Sequence, residues 1–74
     1  MAKQNLVIKR YIKTWCIGNF YYYLIYEVNA GGEIWYEAVP KTRGVTRTSE
    51  DEKTLRIILE NDVVNINKFW AKVR

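Results

Sequence analysis

Two runs of β-forming residues, 6–17 and 20–28, stand only two residues apart, with Gly18-Asn19 between them. Val, Ile, Tyr, Phe and Trp suit a pleated, half-buried surface. Glycine at the first loop position supplies the positive φ of a type II′ turn, so the spacing predicts a tight antiparallel hairpin. Asn29-Ala30-Gly31-Gly32 predicts a second reversal into a strand over 33–39, which Pro40 ends because it has no N–H for the ladder. Gly44 marks a further turn.

A helix start follows. Ser49 is placed as an N-cap, with Glu52 three residues on to complete a capping box. Glu50, Asp51 and Glu52 put negative charge at the positive end of the helix dipole. Leu55, Ile58 and Leu59 make an apolar stripe that continues at helical spacing through Val63, Ile66, Phe69, Trp70 and Val73. Asn61-Asp62, Asn65 and Asn67 are poor helix-interior residues. They predict a break near Asn61-Asp62 and a second short helix capped by Asn65, or else a strand over 63–66. The expected class is α+β in a single domain: a three-stranded antiparallel sheet (about 6–17, 20–28 and 33–39) packed on one face by a helix from about 50.

The two-residue turn sets a register, and the register sorts side chains between two faces. It pairs Ile17 with Phe20, Trp15 with Tyr22, Lys13 with Leu24 and Tyr11 with Tyr26 on one side. On the other it pairs Cys16 with Tyr21, Thr14 with Tyr23, Ile12 with Ile25 and Arg10 with Glu27. The third strand adds Ile34, Tyr36 and Ala38 to the Ile12–Ile25 side, together with Leu6 and Ile8. That side is expected to receive the helix. The opposite side would then present Lys9, Tyr11, Lys13, Trp15, Tyr22, Tyr26 and Trp35, with Glu33 and Glu37 among them, to a partner. A slip of one residue would exchange the two sets.

Nine of the eleven aromatics fall between Tyr11 and Tyr36, more than one small core hides. Positive charge flanks an acidic middle: residues 1–48 carry a net +4, 49–62 a net −3 and 63–74 a net +3. A basic balance fits nucleic acid or an acidic protein surface as partner. Cys16 is alone, which rules out an intrachain disulfide and fits a reducing cytoplasmic setting. No apolar run has the length of a signal peptide's core or a membrane span.

The residue types of common catalytic sites are missing. The chain has no histidine, which removes the commonest general base and metal ligand, and one cysteine makes no zinc site of usual spacing. Cys16, mid-strand, reads as a small apolar filler. No cofactor or metal is expected, and the chain reads as a binding protein, not an enzyme. Arg43 and Arg47, around Gly44-Val45-Thr46 with Lys41 upstream, form the best phosphate-contact loop, because Arg grips phosphate through a bidentate fork.

Phe20-Tyr21-Tyr22-Tyr23, Gly31-Gly32, Gly44-Val45-Thr46-Arg47-Thr48 and the helix from Glu50 resemble the small N-terminal arm-type DNA-binding domains of tyrosine recombinases from phages and conjugative elements. The resemblance implies a three-stranded sheet backed by a helix, with the exposed sheet face entering the major groove. The third strand departs from it by carrying Glu33 and Glu37. Duplex DNA is therefore the first expected partner, through Lys9, Tyr11, Lys13, Trp15, Tyr22, Trp35, Arg43 and Arg47. The second is a host protein, blocked by a mobile-element inhibitor or bridged by an adaptor through the same rings. Self-association as a homodimer is a third expectation.

Overall fold

The computed structural model describes residues 6–42 and 44–73, the side chains of 70–73 excepted. Four strands and one helix follow in order: β1 (Val7–Ile17), β2 (Tyr21–Ala30), β3 (Glu33–Pro40), β4 (Arg47–Ser49) and α1 (Glu52–Val73). The strands form an antiparallel sheet in the order β1-β2-β3-β4. The class is α+β as expected, with one strand more than the sequence suggests. β4 pairs with Tyr36, Glu37 and Ala38. Three residues carry too little periodicity to announce a strand, and the basic stretch reads as a loop until β3 is there to receive it.

The first hairpin departs from its expected geometry. Gly18, Asn19 and Phe20 all lie in the turn, and both Gly18 (φ 61°) and Asn19 (φ 74°) are left-handed. Glycine adopts that region freely and asparagine tolerates it. The third turn residue moves the pairing by one, so Ile17 faces Tyr21, Trp15 faces Tyr23 and Lys13 faces Ile25. A bulge at Ile12 then absorbs the extra residue, and the expected pairs Tyr11–Tyr26 and Arg10–Glu27 are both present beyond it. Burial of Ile17 explains the shift: a two-residue turn would expose it, whereas here it is enclosed with Leu55, Leu59 and Val63. Burying one such side chain is worth roughly 1.5–3 kcal/mol, more than a local turn preference.

The core lies between the sheet and the first half of α1. Tyr23, Ile25, Ala38, Leu55 and Leu59 are fully enclosed, with Ile17 and Val63 beside them and Trp15, Tyr21 and Tyr36 at the margin. Of the side chains expected on this face, Thr14 and Cys16 lie on the other because of the shifted register. Ile8 (54%) and Ile34 (48%) remain exposed beyond the start of the helix, as does Leu6.

Asp51, not Ser49, caps α1. Its Oδ2 accepts the Thr54 N–H and the Thr54 hydroxyl, both at 3.0 Å, while Ser49 is engaged in β4. These bonds hold the Asp51 carboxyl below its ordinary pKa, the backbone N–H contributing most. The helix is continuous through Asn61-Asp62 and Asn65, so neither the expected break nor a C-terminal strand is present. Tertiary contacts outweigh propensity there: Asp62 is paired with Arg47, and Asn67 Oδ1 accepts from the Tyr21 hydroxyl at 3.2 Å. The helix begins beside Lys13, reaches Gly18 at Val63, and continues through residues 64–73 for roughly 15 Å more. The molecule is accordingly long, 58 × 22 × 19 Å.

Candidate interaction face

The sheet face turned away from α1 is built by alternation. In β2 it takes Tyr22, Leu24, Tyr26 and Val28, because Tyr23 and Ile25 point into the core. Register adds Cys16, Thr14, Tyr11 and Lys9 from β1, Trp35, Glu37 and Val39 from β3, and Thr48 from β4. No described element covers this face, yet Val28 is only 2% exposed. Its strand neighbours Lys9 and Trp35 flank it, and Lys9 Nζ meets Glu37 Oε1 at 2.8 Å, tying β1 to β3 across β2. Tyr11 and Tyr26 stack edge to face, with centroids 6.0 Å apart and planes at 73°. The hydroxyls of Tyr11 and Thr14 share a hydrogen bond of 2.7 Å. Tyr22 stands out at 47% exposure opposite the free thiol of Cys16. Hydrogen bonding to Cys16, then the charge a Cys16 thiolate would carry, raises the Tyr22 phenol's pKa. Cys16 is therefore an exposed member of this surface, not an apolar filler.

Of the eight residues expected in the site, four share this face: Lys9, Tyr11, Tyr22 and Trp35. Lys13 and Trp15 lie on the helix side, a correction that follows from the three-residue turn. Trp15 packs against the core with Lys13 Nζ 5.8 Å and Arg56 Cζ 5.3 Å from its ring centroid, and Lys13 reaches Glu52 at 2.9 Å. Arg47 is also on the helix side. Its Nε and one Nη donate to the two Asp62 oxygens at 2.8 and 3.2 Å, which raises its pKa through that hydrogen bond and the charge behind it. Arg43 lies outside the described residues. Tyr26, Leu24 and Val28 belong to the face and complete its apolar floor; their alternation with Tyr23 and Ile25 is visible in the sequence.

Behind the Arg47–Asp62 pair, the Tyr23 hydroxyl is buried with no hydrogen-bond partner among the described residues. Burial first, then the nearby Asp62 charge, raises its pKa. A groove of about 610 Å³ runs beside this pair between Val45, Asn65, Ile66 and Phe69. No helix among the described residues is long and apolar enough to cross a membrane. Comparison with protein-family models, curated proteins and solved structures finds no match.

Proposed function

We propose that this chain is a non-catalytic protein-binding module, an inhibitor or adaptor, that docks through the sheet face opposite α1. The observation that carries this reading is the state of the cations. Lys9, Lys13 and Arg47, three of the four intended for phosphate, each hold a carboxylate at 2.8–2.9 Å. A phosphate would have to displace Glu37, whose side chain is only 16% exposed, and leave that carboxylate without its partner. The face itself offers Tyr11, Tyr22, Tyr26 and Trp35 over Leu24 and Val39, the residue types that dominate protein-interface hot spots. Duplex DNA, ranked first on sequence grounds, thus falls behind a protein partner.

The test is a nuclease-treated pull-down run beside a duplex titration by fluorescence anisotropy. The expected result is a stoichiometric protein complex that survives nuclease and is lost in Tyr22→Ala and Trp35→Ala, both still folded by circular dichroism. Duplex binding is expected to be weaker than about 10 µM at physiological salt, in the range of non-specific contacts. Tight duplex binding with a steep salt dependence, and no nuclease-resistant complex, would reverse the order of the two readings.

A further inference from the structure

Only Tyr36, Glu37 and Ala38 of β3 pair with β4. Ahead of them, residues 33–35 have β2 on one side and, among the described residues, no strand on the other. A groove of about 610 Å³ lies along this stub, lined by Glu33, Ile34, Trp35, Thr48, Ser49 and Glu50. We propose that it receives a short extended segment of the partner protein carrying Lys or Arg. The segment adds as a strand against residues 33–35, in line with β4. This inference rests on the reading of the chain as a protein-binding module and supplies the chemistry of one contact.

Three features favour that occupant. An unpaired strand edge offers main-chain donors and acceptors to any extended chain, which gives affinity without sequence preference. Three residues span roughly 10 Å, so the stub accommodates three or four residues of a partner. The preference comes from the walls: Glu33 and Glu50 are exposed carboxylates among the lining residues, and Trp35 offers a ring against which a cation is stabilised. The other long edge of the sheet, β1, suits the same ligand less well, because its bulge at Ile12 interrupts a continuous ladder. A basic extended segment is thereby directed to β3, while an acidic one finds no favourable charge there.

The experiment is a ¹⁵N-HSQC titration with three capped pentapeptides: Lys-Val-Arg-Val-Lys, its acidic counterpart Glu-Val-Gln-Val-Glu, and Lys-Val-Pro-Val-Lys. The proline peptide keeps two cations but loses a central N–H. The first is expected to shift the amides of residues 33–35 and 48–50 and to slow their hydrogen exchange. The other two are expected to bind at least about tenfold more weakly. Glu33→Lys with Glu50→Lys should weaken the first peptide about tenfold, whereas Tyr22→Ala should leave its binding unchanged. Equal binding of the proline peptide, shifts centred on β1, or no shifts up to about 1 mM would overturn the inference. If the pull-down complex persists while all three peptides fail, the edge contact falls and the face reading stands. Loss of the complex together with intact peptide binding leaves the edge contact alone.

Discussion

Gly18 and Gly31 have almost the same backbone, φ +61° and +60°, in very different surroundings. A Cβ built on Gly18 would lie 2.8 Å from Cγ1 of Val63, whereas one on Gly31 would meet nothing within 4 Å. Alanine at either site carries the left-handed cost of about 1–2 kcal/mol. At Gly18 it also forces a methyl group into a packed contact. Val63 cannot swing aside, because a β-branched side chain in a helix has one strongly preferred rotamer and this one is buried. Overpacking of that kind adds about 1–3 kcal/mol. Gly18→Ala should therefore cost about 2–5 kcal/mol and Gly31→Ala about 1–2 kcal/mol. A domain of this size holds only about 4–11 kcal/mol in total, so Gly18→Ala removes a large share.

Urea unfolding followed by far-ultraviolet circular dichroism reads the difference. With a slope near 1 kcal/mol/M, the Gly18→Ala midpoint should fall about 1–3 M below that of Gly31→Ala. The cycle with Val63→Ala supplies an internal check. Removing both γ-methyl groups costs about 2 kcal/mol in the wild type but at least about 1 kcal/mol less in the Gly18→Ala background, because the clash with Cγ1 goes with them. Equal losses at the two glycines, or strict additivity with Val63→Ala, would refute the claim that α1 rests on the first turn.

Trp15→Ala should destabilise the domain by about 2–3 kcal/mol and Tyr22→Ala by less than about 0.5 kcal/mol. The reverse order in urea titrations would restore the two-residue turn. Asp51 has a folded pKa below its ordinary 3.8, so its stabilisation is complete above that value and is lost as pH falls from there through the lower folded value. Asp51→Asn, which keeps a capping side chain, should flatten the fall in Tm between about pH 5 and 2. Tyr23 has a folded pKa above its ordinary 10.0, so its share of stability is intact below pH 10 and is lost as pH rises through the folded value. Tyr23→Phe removes a buried hydroxyl with no partner among the described residues. It should be neutral or up to about 1 kcal/mol stabilising at pH 7, and should retain more of its Tm in an alkaline scan.

The sequence by itself determined the first three strands and a helix after them, the third strand ending at proline, and the placement of Tyr23, Ile25, Ala38, Leu55 and Leu59 in one core. These follow from local signals: alternation of period two, turn residues at fixed offsets, and an apolar stripe of helical period. It also determined the faces of β2 and β3 relative to each other, because Gly31-Gly32 displaces the expected register by an even number of residues. Only the tertiary structure decided which half of β1 faces the helix. The local preference for a two-residue turn is smaller than the gain from enclosing Ile17 against Val63, forty-six residues away in the chain. The same long-range packing drew Arg47 into β4 and onto Asp62, carried α1 through its asparagines, and tied Lys9 to Glu37. A cation's availability for phosphate depends on where the carboxylates end up in space. That is why Arg47 looks free in the sequence and is held once the chain has folded.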